Sequence, residues 1–211
     1  MKLVTYNFKL KQDIAQIVSN MVQPIIVTIP VFVIINYFAA SGSTFLMSTI
    51  LCLLFGTFLP LTAGLMWIKS KDLDLDVSNK DDRTFPLLMG ALCYILGIIM
   101  LFIAGAPAVA AILMLCYLTN IIITIFITFF WKISVHSMGI ASPAAAITFI
   151  FGYPGLLFGF PLIMVMWSRV YLNQHTPAQV IVGAIASFAV TWMQFKLCMT
   201  YVPYLNLQLY P

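Results

Sequence analysis

Long apolar runs separated by short polar junctions occupy almost the whole chain. The runs do not alternate between polar and apolar residues as a half-buried strand does, and a segment that crosses hydrocarbon must satisfy its backbone hydrogen bonds internally. The pattern therefore predicts an all-α fold, a polytopic transmembrane helical bundle of six to seven spans. Seven runs are recognised, of which the fifth and sixth are short: residues 22–39, 45–68, 86–105, 108–131, 138–151, 156–167 and 178–198.

The other residues include an N-terminal segment and one large polar loop. In residues 1–20, apolar side chains recur every three or four positions among three lysines, which predicts a helix in the membrane interface. Residues 69–85 hold five of the six acidic residues and form the one sizeable polar loop. No repeat or linker divides the sequence, so residues 1–211 are predicted to form a single membrane domain.

The composition also indicates a bilayer environment. Hydrophobic residues make up 63% of the chain, charged residues make up 8%, and the mean hydropathy is +1.06. A soluble domain of this size does not bury so much apolar surface. The net charge of +4 does not indicate nucleic-acid binding, because the ten basic residues are scattered between the spans. The four cysteines lie inside apolar runs without histidine at ligand spacing, so no metal site is predicted.

Alternate crossings of the membrane place the polar junctions on one side. The loop 69–85 and the junctions 132–137 and 168–177 share that side with the N-terminus. Ionisable groups at a membrane edge are costly and mark candidate functional sites. Arginine offers a bidentate fork for phosphate oxygens, and helix N-termini add backbone donors. A phosphate site is predicted where five side chains meet: Arg83, Lys132, His136, Arg169 and His175.

The last of these junctions carries a recognisable spacing. The string Ser168-Arg169-x5-His175 resembles the third signature of the type 2 phosphatidic acid phosphatase superfamily, SRxxxxxHxxxD. Gln179 stands where the family has the aspartate that orients the nucleophilic imidazole. The glutamine oxygen can accept the ring N–H, but it carries no charge to stabilise an imidazolium.

Two earlier segments resemble the other signatures and follow the family's order. The string Ser134-Val135-His136 is similar to the second signature, PSGH, with the serine and the histidine in register. Arg83, followed by Pro86, is similar to the RP end of the first signature, KxxxxxxRP. The three resemblances together span residues 83–179, about half of the chain.

The resemblance implies a lipid phosphate phosphatase that acts on a phosphorylated membrane lipid without a metal or other cofactor. His175 attacks phosphorus, His136 protonates the leaving lipid oxygen, and Gln179 takes the place of the orienting residue. Asp76 occupies the position of the family's lysine, so a nearby lysine is the candidate for the missing cation. The implied phosphate-binding side chains are Arg83, Arg169, Lys80, Lys132 and Ser134.

Other functions stay open on the sequence. The Asp-rich loop allows a Mg²⁺-dependent membrane prenyltransferase, but such enzymes use two acidic segments and only one is present here. A CDP-alcohol phosphotransferase is disfavoured for the same reason. A non-catalytic lipid or solute carrier on the same scaffold is the third alternative. The sequence does not distinguish among lipid phosphates, which differ in apolar tails that pack on unspecific side chains.

The distribution of basic residues predicts the orientation. Lysine and arginine near short loops are retained on the cytoplasmic side. Nine of the ten basic residues fall on the side of the predicted site, and Lys196 falls on the other side. The active site is therefore predicted to face the cytoplasm, in an integral protein of the plasma (inner) membrane.

Overall fold

The computed structural model describes residues 2–73 and 81–201, with side chains described for 9–73 and 82–201. Within these residues the chain is helical and contains no strand. The α-helices of this part of the chain are α1 Lys2–Met21, α2 Pro24–Ala39, α3 Gly42–Leu53, α4 Leu59–Ser70, α5 Thr84–Ile103, α6 Ala108–Phe130, α7 Val135–Phe151, α8 Gly159–Tyr171 and α9 Pro177–Tyr201.

Most of these helices are long and apolar enough to cross a membrane. Over the described ranges, five segments meet that standard, namely Gly42–Ser70, Thr84–Ile103, Ala108–Phe130, Tyr153–Tyr171 and Pro177–Tyr201. Lys9–Met21 and α2 together make a sixth, with a bend of 45° between them. Helix α7 is apolar but has only 17 residues. The predicted all-α transmembrane bundle is confirmed, and the chain is an integral membrane protein.

The seven predicted spans are all helical, with local differences from the expected boundaries. The second span continues through a π-helical turn, Leu54–Phe58, between α3 and α4. Helix α5 begins two residues before Pro86, because proline is tolerated in the first turn, where its missing N–H has no intrahelical partner. The predicted break at residues 152–155 ends α7, but the sixth span already begins there as the 3₁₀ turn Tyr153–Phe158.

Helix α7 is the central element and packs against α2, α6, α8 and α9. Ten of its 17 residues are buried, and alanines such as Ala141 and Ala145 let the neighbouring helices approach closely. Helices α7 and α2 approach each other closely at Gly139, where an added Cβ atom would lie 2.6 Å from the Cβ atom of Pro24. The start of α2 is therefore held against the first turns of α7.

Polar side chains fix the register of the central helices. Asn120 Nδ2 in α6 donates to Thr191 Oγ1 at 3.1 Å, and the Ser142 and Thr191 hydroxyls lie 2.8 Å apart. Ser187 Oγ donates to the Met138 carbonyl at 2.7 Å. Bonds of this kind in membranes contribute about 0.6 kcal/mol on average. The two α7–α9 pairs are four residues apart on both helices, so α7 and α9 run parallel and begin at the same end of the bundle.

Helix α1 packs along α8 and has three distinct faces. Ala15, Val18 and Ser19 are buried. A second stripe is apolar and exposed, and comprises Leu10, Ile14, Ile17 and Met21. The third is polar and exposed, and includes Lys9, Asp13, Gln16 and Asn20. An apolar stripe beside a polar one is the pattern of an interfacial helix, and the interfacial location of residues 1–20 stays a prediction.

Candidate functional site

The loop between α8 and α9 presents His175 at the start of α9, where the side chain is only 6% exposed. Thr176 and Gln179 cap the helix reciprocally. The Thr176 N–H donates to Gln179 Oε1 at 3.0 Å, and the Gln179 N–H donates to Thr176 Oγ1 at 3.3 Å. Pro177 fills the first helical turn, where proline is favourable. The Gln179 side chain therefore folds back along the helix towards His175, the residue before Thr176.

This cap determines which ring nitrogen of His175 carries the proton. The His175 Nδ1 atom lies 3.2 Å from Gln179 Oε1. The Thr176 N–H donates to that same atom, which identifies it as the amide oxygen, and an oxygen without hydrogen can only accept. Nδ1 of the neutral ring is therefore protonated. Nε2 keeps its lone pair, as a nucleophile requires.

Cationic side chains from three polar junctions surround His175. Burial is the main cause that lowers the pKa of His175 to about 3, and the charges of Arg169, Arg83 and Lys132 lower it further. The hydrogen bond to Gln179 acts in the opposite direction. The imidazole is therefore neutral at physiological pH and lies in an electropositive environment. The charges of Arg169, Arg83 and Lys132 therefore act on His175 from all three junctions, and a phosphate site formed by these side chains with His136 stays a prediction.

Arg169 lies in the last turn of α8 and is 1% exposed. Its carbonyl accepts from the backbone N–H groups of Gln174 and His175, at 3.0 and 3.2 Å, which closes the loop around it. Its Nη1 donates at 3.0 Å to the hydroxyl of Ser19 in α1. Ser19 is itself 2% exposed. The N-terminal helix thus holds the guanidinium in place, a role that the sequence analysis did not identify.

The remaining predicted cations lie on two other junctions. Arg83 ends a 3₁₀ turn, Asp81–Arg83, directly before α5, and it is 7% exposed. Lys132 is half-buried between α6 and α7. Lys80 lies outside the described residues, as does Asp76. The described part of the site therefore supplies two arginines and one lysine around His175.

Ser134 and His136 lie at the start of α7. Ser134 is wholly buried and is the N-cap of the helix: its Oγ accepts from the Ser137 N–H at 3.3 Å and from the Ser137 hydroxyl at 3.1 Å. A Cβ atom at Gly183 would lie 3.2 Å from the Ser134 carbonyl oxygen, so glycine permits this contact with α9. The capping role is shown by the contacts, and phosphate binding by Ser134 stays a prediction.

His136 lines one end of a cavity of about 270 Å³ inside the bundle. The cavity wall includes residues 86–94 of α5, 117–124 of α6 and 135–142 of α7. The first and last residues of each range are seven or eight positions apart, which corresponds to about 10–12 Å along a helix. Most of the lining is apolar. The cavity therefore leads from His136 into the membrane interior, which suits a lipid chain.

The described residues contain no group of three or more His, Cys, Asp or Glu side chains placed to hold a metal ion. Comparisons with family models, curated proteins and solved structures give no match to this chain. The arrangement of its own side chains is therefore what indicates the chemistry of the site.

For the lipid phosphatase that the sequence resemblance implies, we expect Ser19→Ala to lower kcat/KM by roughly 10- to 100-fold, because a hydrogen bond to a buried charged group contributes about 1.5–3 kcal/mol. Ser19→Thr retains the hydroxyl and should restore most of the loss. Ser43→Ala is the matched control, since Ser43 is an exposed serine at the start of α3. Phosphate release by the purified variants measures the effect, and full activity of Ser19→Ala would show that Arg169 does not depend on α1.

We expect Gln179→Glu, an isosteric change, to raise the pKa of His175 from about 3 by roughly 1–3 units, because a carboxylate favours the imidazolium. In the reaction that the sequence resemblance implies, the attacking ring is neutral, so kcat/KM should acquire an acid limb near pH 4–6, while His175 gives the wild type none above about pH 4. At pH 7 the rate should rise roughly 10-fold, because the carboxylate stabilises the charge that the ring gains.

The pH dependence of kcat/KM for both proteins is the measurement. Gln174→Glu is the control, since it adds the same charge to the same loop without contacting His175 Nδ1. Identical pH profiles for Gln179→Glu and the wild type would contradict the assigned contact between His175 and Gln179.

Proposed function

We propose that this protein is a membrane-embedded phosphatase that hydrolyses a lipid phosphate or diphosphate monoester through a phosphohistidine intermediate. The observation that carries the proposal is the buried, neutral His175, with its proton on Nδ1, among Arg83, Arg169 and Lys132. Positive charges attract the phosphoryl group and stabilise the charge that develops on it, while the neutral imidazole retains its lone pair for attack. The resemblance to the type 2 phosphatidic acid phosphatase signatures supports the same chemistry.

In the first step, His175 Nε2 forms a bond to phosphorus and the bond from phosphorus to the lipid oxygen breaks. His136 donates its proton to that oxygen, so the lipid leaves as a neutral alcohol, or as a phosphate monoester from a diphosphate. Arg83 and Arg169 hold the phosphoryl oxygens. The lipid chain occupies the cavity that begins at His136.

In the second step, water attacks phosphorus and the bond to His175 Nε2 breaks. His136, now deprotonated, accepts a proton from the water, which returns both histidines to their starting states. Inorganic phosphate leaves from the polar end of the bundle. The ring of His175 gains positive charge while it carries the phosphoryl group, and Gln179 accepts its Nδ1–H without neutralising that charge.

The decisive experiment incubates the purified protein in detergent with phosphatidic acid, phosphatidylglycerol phosphate, a polyprenyl diphosphate and a sphingoid phosphate. We expect release of inorganic phosphate from at least one of these lipids, undiminished by EDTA. Condensation of the polyprenyl diphosphate that requires Mg²⁺ would favour the prenyltransferase alternative. Binding of the lipids with no release of phosphate would favour the carrier.

We also propose that the protein resides in the plasma (inner) membrane with the site facing the cytoplasm. Ser70 ends α4 on the side of the site, and Ser43 lies in the first turn of α3 on the opposite side; both are exposed. In a Cys-free background, a membrane-impermeant thiol reagent should label Ser43→Cys in intact cells and leave Ser70→Cys unlabelled until the cells are lysed. Labelling of Ser70→Cys alone would reverse the orientation.

A further inference from the structure

The cavity that begins at His136 ends at two tyrosine rings. Helix α5 leads from the site into the bundle, so Pro86 lies at the mouth of the cavity and Tyr94 lies eight residues deeper. Helix α6 runs in the opposite direction, so Tyr117 lies seven residues deeper than Thr124. The centroids of the Tyr94 and Tyr117 rings are 5.8 Å apart. The two rings therefore meet at the inner end of the cavity and form its floor.

The core behind this floor is closely packed. Phe32 of α2 is wholly buried and lies edge-on to Tyr117, with ring centroids 5.6 Å apart. A Cβ atom at Gly56 would lie 2.6 Å from the Phe32 ring, and one at Gly97 would collide with the sulfur of Met114. Not even a methyl group fits at these two glycines, and a core of native density does not admit further methylene groups without rearrangement. The floor therefore closes the cavity.

The side wall of the cavity is continuous at the depth of the floor. Lining residues come from α2, α5, α6, α7 and the π-helical turn, among others. In the order α2, α7, α6, α5 and π-helical turn, each element packs against the next, and the π-helical turn packs against α2. The hydroxyls of Thr28 and Thr57 lie 3.4 Å apart across this last contact. A chain that enters beside His136 is therefore directed along the cavity towards the floor.

We infer that the cavity holds one apolar chain of the substrate lipid, and that the floor formed by Tyr94 and Tyr117 sets the chain length that fits. The inference rests on the proposed phosphatase function and names its substrate class, a phosphorylated lipid with a single chain of medium length. A longer chain still brings its phosphate to the site, but its excess carbon atoms have to fold back towards the mouth. Such a lipid is a poorer substrate.

Length and volume give similar sizes for this chain. An extended chain advances roughly 1.2 Å per bond, since three backbone bonds span about 3.3–3.6 Å, so the roughly 10–12 Å from mouth to floor accommodates roughly 8–10 carbon atoms. Benzene, with six carbon atoms, binds in an apolar cavity of about 150 Å³, so a cavity of about 270 Å³ holds roughly 11 carbon atoms. Two chains side by side would need twice this volume.

The test compares n-decyl phosphate with n-hexadecyl phosphate at equal mole fractions in the same detergent. We expect the wild type to favour n-decyl phosphate at least roughly 10-fold in kcat/KM. The reason is that each methylene group that leaves the detergent without entering the cavity lowers kcat/KM by about 4-fold. Tyr94→Ala opens the floor and should reduce this preference roughly 10-fold, whereas Tyr94→Phe retains the ring and should leave it unchanged.

A second variant shortens the cavity without disturbing the floor. Gly90 lines the cavity between Pro86 and Tyr94, and an added Cβ atom would meet only the flexible end of Ile121, at 3.0 Å. Gly90→Leu should therefore lower the ratio of kcat/KM for n-decyl over n-hexyl phosphate at least roughly 10-fold, because the longer chain no longer fits. Gly64→Leu is the matched control, since Gly64 lies outside the cavity with no neighbouring side chain within 4 Å.

Equal kcat/KM of the wild type for n-decyl and n-hexadecyl phosphate would overturn the inference and leave the phosphatase proposal intact. Equal changes in Gly90→Leu and Gly64→Leu would overturn it as well. Absence of hydrolysis with every lipid phosphate would instead overturn the proposed function. Occupancy is measured without turnover by n-decyl phosphate that carries a diazirine on its last carbon atom. Its adducts should lie on Tyr94 and Tyr117, and adducts confined to exposed residues such as Phe102 would show that the chain does not enter the cavity.

Discussion

Replacing His175 with alanine is expected to abolish the phosphoenzyme and to lower turnover of a lipid phosphate by about 10⁴-fold or more. The reason is that His175 is the nucleophile in the proposed mechanism, and the surrounding cations alone provide no atom that bonds to phosphorus. Rapid quenching with a radiolabelled lipid phosphate measures the acid-labile protein-bound phosphate. A normal amount of phosphoenzyme in His175→Ala would show that His175 is not the nucleophile.

The matched control for this variant is Gln174→Ala, which truncates the neighbouring side chain in the same loop. The described contact of Gln174 is made by its backbone N–H to the Arg169 carbonyl, so alanine preserves it. Phosphoenzyme formation should therefore be normal in Gln174→Ala. An equal loss in both variants would indicate that the loop has rearranged and that the effect is structural.

The membrane spans could be predicted because a span is recognised from the length of one continuous apolar run in the sequence. An apolar run of sufficient length has few alternatives in hydrocarbon, where the backbone must bond within the segment. Internal irregularities were not predictable in the same way. Pro60 follows the π-helical turn Leu54–Phe58 and removes the hydrogen bond to the Gly56 carbonyl, so the sequence marks an irregularity there. The apolar run does not specify that the irregularity is a π-helical turn.

The residues of the site were predictable where their spacing is local. Arg169 and His175 belong to one loop, and Thr176 and Gln179 match a capping-box pattern that the sequence already contains. Ser19 could not be found in this way, because 150 residues separate it from Arg169 and a serine in an amphipathic helix carries no distinctive pattern.

Gln179 connects the fold of this site to its chemistry. As the acceptor of the Thr176 N–H it stabilises the start of α9, and as the acceptor of His175 Nδ1–H it selects the ring tautomer. A neutral side chain performs both roles, because each requires only a lone pair. What a carboxylate adds is charge, and charge matters only while the ring is positive. The fold therefore tolerates glutamine, and in the proposed mechanism the missing charge affects only the rate.

His136→Ala is expected to slow phosphoryl transfer from a lipid phosphate by about 10²–10⁴-fold, the usual contribution of a general acid. With p-nitrophenyl phosphate the loss in the first step should be less than about 10-fold, because nitrophenolate leaves without a proton. Water attack on the phosphoenzyme still requires His136 as the base. His136→Ala should therefore release a burst of about one nitrophenolate per enzyme and then turn over slowly, and stopped-flow absorbance measures both phases. If the trace shows no burst and the rate falls equally for the two substrates, His136 does not transfer a proton and only lines the cavity.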